Sequence, residues 1–138
     1  MKQASKQRKP LARKEGLVIQ ELPDEVLVYD LDRDRAHCLN ETAAFVWQHC
    51  DGRTSANEIA RALGKKVNTA VDEKVVLFAL DQLGRNHLMA TPSVPPQLLA
   101  GLNRREMVRA LGIAAAVAVP VVASIVAPTP AQIGRAHV

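Results

Sequence analysis

The chain has 138 residues of which 3 % are aromatic, so it can hold one domain with a mostly aliphatic core, and a second folded domain is not expected. Its net charge is +4, but residues 15–100 hold 13 acidic and 8 basic side chains, so the folded part is acidic, which argues against nucleic acid as a partner. The two cysteines, Cys38 and Cys50, are too few for a disulfide framework and favour a reducing, cytoplasmic setting.

Residues 1–14 are basic and contain no acid, and they lack apolar periodicity, so we predict a disordered arm there. A domain spanning residues 15–91 follows. Short β-branched and aliphatic runs predict strands at 17–19 and 26–29 around a Pro-Asp turn, and a charged turn at 32–34 is expected to lead into a third short strand at 35–39. These strands predict a small antiparallel sheet.

Three helices are predicted after the strands. Asn40 is a candidate N-cap for a first helix that ends at Asp51-Gly52. The sequence from Ser55 to Glu58 is a capping box that opens a second helix, for which Gly64 is the natural end. A third helix is expected to begin near Thr69, with Asp72 in a capping-box position, and to run to about Arg85.

The third predicted helix carries six consecutive nonpolar residues, 75–80, although a helix that covers one side of a core needs only a stripe. One face, with Val76, Leu80 and Leu83, is expected to close the core. Val75, Phe78 and Ala79 would then be free for a docking groove. The alternative is that all six nonpolar residues lie in the core of a small domain.

Several short motifs occur here in a characteristic order: Leu39-Asn40-Glu41-Thr42-Ala43, then Trp47, Asp51-Gly52-Arg53-Thr54 and Glu58-Ile59. In order and spacing they resemble the PqqD-like peptide chaperones, also called RiPP recognition elements, over roughly Gly16 to Met89. The resemblance implies an α+β fold, with a three-stranded antiparallel sheet and a three-helix bundle of winged-helix type. It also implies a non-catalytic protein without a cofactor, which binds the leader of a ribosomally made precursor peptide. The leader would be presented to a modifying enzyme of the radical SAM type, in pyrroloquinoline quinone synthesis or another peptide pathway.

Three strands cannot close into a barrel, so we expect the third strand to present an unpaired edge. An extended peptide can pair with such an edge while its alternate side chains enter a neighbouring groove. In the family that the chain resembles, the leader adds beside the third strand and against the third helix. By position, the peptide-binding residues would be Ala36, His37, Cys38, Leu39, Val75, Phe78, Ala79 and Gln82.

Other chemistries receive less support from the sequence. His37-Cys38 and His49-Cys50 contain good zinc ligands, but neighbours in a strand point to opposite faces, so we predict no metal site. We find no nucleophile motif, so no enzyme activity is expected. A winged-helix DNA-binding regulator is the alternative function, although the acidic helices oppose it.

The tail divides into a Pro-containing linker at 92–103 and an apolar segment at 104–132, for which a helix is expected. Residues 110–127 are nearly all apolar and follow an arginine cluster, so membrane contact is one interpretation, and a disordered or partner-bound tail is the other. Residues 133–138 match the translation of a common sequencing adapter, and we interpret them as read-through. A cytoplasmic protein, with membrane association through the tail as an option, is the expected localisation.

Overall fold

A computed structural model describes residues 9–91, residue 105 and residues 119–126. In these parts the chain forms an α+β fold with three helices and one antiparallel sheet. The elements in chain order are β1 (Leu17–Glu21), β2 (Glu25–Asp30), β3 (Arg35–Asn40), α1 (Glu41–Gln48), α2 (Ala56–Val67), α3 (Glu73–Arg85) and β4 (Val122–Val126).

The sheet has four strands in the order β1-β2-β3-β4, and every neighbouring pair is antiparallel. The prediction of three strands with an open third edge is therefore wrong. Along that edge, β4 pairs with β3 in a register that places Leu39 opposite Val122 and Arg35 opposite Val126. Unpaired backbone groups on a strand edge accept another extended segment, and the β-branched residues of 121–126 favour the extended conformation.

The core lies between one face of the sheet and the three helices. Val28 and Leu39 from the sheet are fully buried, as are Val46 of α1, Ile59 of α2 and Leu83 of α3. The opposite face of the sheet carries Val18, Tyr29 and Ile125, which are exposed. The sheet therefore has a buried face and an open one, and the helices all lie on the buried side.

The predicted helix starts are confirmed at α1 and α2. The Asn40 side chain accepts a hydrogen bond from the Ala43 amide at 3.0 Å. Ser55 and Glu58 form the reciprocal capping box, with N···O distances of 3.2 and 2.8 Å. Both caps satisfy backbone donors that a helix N-terminus leaves free.

Three predicted helix boundaries differ from the structure. The first helix ends at Gln48 and not at Asp51-Gly52. The second helix does not stop at Gly64 but continues to Val67, where Asn68 provides the left-handed C-cap with φ of 59°. Gly64 lies inside the helix because the chain returns closely past it, so that a Cβ there would lie 2.8 Å from the Thr69 carbonyl oxygen. The third helix begins at Glu73, with Asp72 as its N-cap, rather than near Thr69.

Residues 10–14 differ from the expected disordered arm, because they pack along the domain. The Ala12 amide donates to the Cys50 carbonyl at 2.8 Å, and the Arg13 amide donates to the Leu88 carbonyl at 2.9 Å. Ala12 is buried in the core cluster. The first eight residues of the predicted arm lie outside the described residues.

Residues 122–126 of the tail form a strand and not the helix that we expected, whereas Arg105 near the start of the predicted tail is helical. The apolar run has no helical periodicity, and pairing with β3 satisfies its backbone groups. The rest of the predicted membrane segment lies outside the described residues, as does most of the linker. Within the parts that the structure describes, no helix has the length and hydrophobicity needed to cross a membrane. The winged-helix arrangement of the bundle stays a prediction.

Candidate functional site

The candidate site is a groove between β3 and α3, which we call the β3–α3 groove. In this structure it holds residues 119–126 of the same chain as an extended segment. Backbone pairing with β3 supplies one side of the site. Side chains from the start of α1 and the end of α3 supply the other contacts, and they reach the segment from both flanks.

Asn40, at the junction of β3 and α1, contacts the segment through its side-chain amide. Its Nδ2 donates to the Val119 carbonyl at 2.8 Å, and its Oδ1 accepts from the Val121 amide at 3.1 Å. Its own backbone amide donates to the Val121 carbonyl at 3.1 Å. Because Oδ1 also caps α1, a single carboxamide joins the start of a helix to the bound segment.

Gln82, on α3, makes a second amide contact of the same kind. Its Nε2 donates to the Pro120 carbonyl at 2.7 Å, and its Oε1 accepts from the Val122 amide at 3.0 Å. The donor and acceptor of one carboxamide thus bind main-chain groups two residues apart, as a neighbouring strand would. We call Asn40 and Gln82 the amide pair; both bind the backbone and so impose little demand on sequence.

Ser124 makes the side-chain contact of the segment, in a pocket that we call the hydroxyl subsite. Its Oγ donates to Asn86 Oδ1 at 2.7 Å and lies 2.6 Å from Nδ1 of His37. Asn86 is oriented by its Nδ2, which donates to the Gln82 carbonyl at 2.8 Å. With the hydroxyl proton directed at Asn86, the Nδ1–H of His37 donates to Oγ.

The environment of His37 keeps its ring neutral. The side chain is buried, and burial lowers the pKa of His37, while the Asp30 carboxylate acts in the opposite direction. Among the described residues, Nε2 of this ring is buried without a hydrogen-bond partner, which fits an unprotonated nitrogen. With the Ser124 proton given to Asn86, the hydrogen-bond network assigns the proton of the neutral His37 ring to Nδ1.

A charged network supports β2 and β3 beside the site. The Arg13 guanidinium donates to both carboxylate oxygens of Asp30, at 2.8 and 3.1 Å, and to Asp32 at 2.8 Å. The Asp30 side chain is fully buried. Its pKa is lowered to about 2, first because of the hydrogen bond from Arg13 and further by backbone amides of Arg33 and Asp32.

The predicted residues of β3 are divided between the two faces of the sheet. His37 and Leu39 face the helices, and both are buried. Leu39 belongs to the core cluster, opposite Val122. Ala36 and Cys38 lie on the open face, opposite Ile125 and Ala123. Of these four side chains, His37 is the one with a hydrogen bond to the segment.

Two of the four α3 residues predicted to bind the peptide are buried inside the domain. Val75 and Ala79 are fully buried, and Ala79 is part of the core cluster, so these side chains are not free for docking as we expected. Phe78 is half-buried, and it lies one helical turn before Gln82. Gln82 is the predicted helix residue that the structure brings into contact with the segment.

Three parts of the site were not predicted from the sequence: the contacts of Asn40 with the segment, the residue Asn86, and the segment 119–126 itself. Asn40 was interpreted as a helix cap alone, although a carboxamide has more hydrogen-bonding groups than a cap uses. Asn86 follows the last helical residue and gives no signal in the sequence. The segment was interpreted through its hydrophobicity rather than through its β-branched content.

Both cysteine thiols have raised pKa values, which disfavours the thiolate form. The Cys38 thiol donates to Glu25 Oε1 at 2.9 Å, and this contact together with burial raises its pKa to about 11. Burial raises the pKa of Cys50 to about 12. Within the described ranges, no group of three or more His, Cys, Asp or Glu side chains is arranged to hold a metal ion.

Comparison with known proteins gives one match. Residues 25–89 match the model of a family described as coenzyme PQQ synthesis protein D (PqqD). This range begins at β2 and includes β3, all three helices and both members of the amide pair. No curated protein and no solved structure matches the chain.

Proposed function

We propose that the β3–α3 groove captures the leader of a ribosomally made precursor peptide by strand addition, because residues 25–89 match the model of the PqqD family. The family supports a peptide-binding role in the synthesis of pyrroloquinoline quinone or a related peptide product. In this proposal the domain acts by recognition alone, and it presents the leader to a modifying enzyme of the radical SAM type.

One observation carries the proposal: the groove holds an extended peptide segment in register with β3. Backbone pairing, the amide pair and the hydroxyl subsite together contact the segment from residue 119 to residue 126. Strand addition gives affinity through main-chain hydrogen bonds and selection through alternate side chains. Both features are present at this site, with the chain's own segment as the occupant.

Because β4 fills the groove, a leader must exchange with it. A tethered segment competes as if it were present at roughly millimolar concentration, so β4 lowers the apparent affinity for any peptide added to the protein. In this proposal the edge of β3 is open to a peptide only when β4 leaves it, whereas the sequence led us to expect an edge that is always unpaired. We infer that removal of β4 from the groove increases the affinity for the leader.

Val122→Asp in the full chain tests this proposal. Val122 packs against the core cluster, and its replacement by a carboxylate disfavours docking of β4, because an unpaired charge is costly to bury. Ala123→Asp is the matched control, since that side chain is exposed on the open face of the sheet. The probes are synthetic leader segments of precursor peptides encoded beside this gene, titrated while backbone amide shifts are followed by NMR.

We expect a leader to bind the Val122→Asp protein at least ~10-fold more tightly than the native or Ala123→Asp protein. Amide shifts should change along β3, α3 and residues 119–126. The indole N–H of Trp47, which donates to the Leu88 carbonyl at 2.9 Å, reports that the domain remains folded. Shifts confined to residues 9–14, or equal affinity in all three proteins, would contradict the proposal.

A further inference from the structure

The hydroxyl subsite is the place where the groove contacts a side chain of its occupant by hydrogen bonds. His37 offers a donor at Nδ1, and Asn86 offers an acceptor at Oδ1, both within 2.7 Å of the same oxygen. The acceptor is fixed because the amide nitrogen of Asn86 is bound to the end of α3. His37 acts as the donor to Ser124 Oγ, because the hydroxyl proton of Ser124 is given to Asn86.

A serine hydroxyl satisfies both groups at once, because it is a donor and an acceptor on one small atom. An alanine at that position leaves His37 Nδ1 and Asn86 Oδ1 without this partner in a partly buried pocket. A carboxylate could accept from His37 but would face the Asn86 oxygen without a proton to give. The pocket is therefore matched to a neutral hydroxyl.

We propose that the β3–α3 groove selects its peptides by a serine at the position of Ser124, preceded by an extended Pro-Val-Val-x segment. This inference rests on the proposed function, since it names the class of peptide that the same groove binds. The flanking positions agree with it: Pro120 is buried, and Val122 packs against the core cluster. Backbone contacts to the amide pair give binding, and the serine gives selection.

The test uses the full-length Val122→Asp protein and two synthetic peptides. One has the sequence of residues 119–126, Val-Pro-Val-Val-Ala-Ser-Ile-Val, with a pair of lysines added at each end for solubility. The other is identical but has alanine in place of serine. Dissociation constants come from amide shifts, with the Trp47 indole signal as the check on folding.

We expect the serine peptide to bind at least ~5-fold more tightly, since a polar group left without a partner costs about 1–3 kcal/mol. In the Val122→Asp/Asn86→Ala protein the ratio of the two affinities should fall towards one. A ratio near one in the Val122→Asp protein would overturn the inference but leave the proposed function in place. Failure of both peptides to bind would overturn both.

Discussion

At the scale of single residues, Arg13 stabilises the buried negative charge of Asp30 beside the groove. Its guanidinium binds Asp30 and Asp32, and it also donates to the His87 carbonyl at 3.0 Å. One side chain thus connects the N-terminal segment, β2 and the end of α3. The buried Asp30 carboxylate depends on it, because removing one member of a buried ion pair leaves an uncompensated charge.

We expect Arg13→Met to lower the free energy of unfolding by about 3 kcal/mol, measured by urea denaturation. Arg33→Met is the matched control. Its guanidinium lies 3.5 Å from the same carboxylate but is largely exposed, so its loss should cost under ~1 kcal/mol. Equal effects of the two substitutions would contradict the role assigned to Arg13.

The same ion pair predicts a pH dependence. The pKa of Asp30 in the folded protein, about 2, lies below its ordinary value of 3.8. Its contribution is therefore complete above about pH 4 and is lost as the pH falls through about 2, a change of about 2 kcal/mol. Urea denaturation between about pH 5 and about pH 2 should show this loss in the native protein. The Arg13→Met protein should lose less stability over this pH range. If the free energy of unfolding fell equally with pH in the two proteins, the ion pair would not be the cause of the loss.

At the scale of elements, the junction of β3 and α1 combines a helix cap with peptide recognition. Asn40→Asp separates the two roles, because a carboxylate keeps the acceptor for the Ala43 amide but loses the donor to the Val119 carbonyl. We expect hydrogen exchange in α1 to stay native-like and exchange at the β4 amides to accelerate by about tenfold.

Asn40→Ala is the comparison for that substitution. It removes the cap as well, so it should also destabilise α1 by about 1 kcal/mol. If Asn40→Asp left β4 exchange unchanged, the side-chain amide would have no role in holding the segment.

Local elements were largely predictable from the sequence, whereas their ends were not. The strands and the two N-caps follow from alternation and from side-chain oxygens that satisfy helix donors. The end of α2 does not, because Gly64 serves the close approach of Thr69, and Asn68 takes the left-handed cap instead. That contact is local, but a glycine is equally compatible with the last helical turn and with the residue after it, so the residue type alone did not fix the end of α2.

A different reason explains what was missed at the site. The third strand and Gln82 were predicted through the resemblance to the PqqD family. The occupant of the groove was not predicted. Pairing of β3 with β4 brings together residues that are far apart in the chain: Leu39 and its partner Val122 are more than eighty positions apart. Hydrophobicity alone did not distinguish a strand that fills a groove from a helix that enters a membrane.

At the scale of the whole molecule, the chain combines a domain that matches the PqqD family model with a segment that occupies its β3–α3 groove. Exchange of that segment for a leader is the central claim, and Cys38 provides a way to prevent it. Cys38 lies directly opposite Ala123 on the open face of the sheet, at a spacing between antiparallel neighbours that suits a disulfide. Ala123→Cys therefore allows β4 to be locked onto β3 and released again by reduction.

The most direct measurement is the affinity of the oxidised and reduced Ala123→Cys protein for the serine-containing 119–126 peptide and for a leader. Disulfide formation removes two electrons from the thiol pair, so an oxidant is added; the pKa of Cys38, about 11, makes the reaction slow at neutral pH, and loss of free thiol reports its formation. We expect the reduced protein to bind both peptides and the oxidised protein to bind neither. Equal binding by the two forms would show that peptides do not enter the β3–α3 groove, and it would contradict the account.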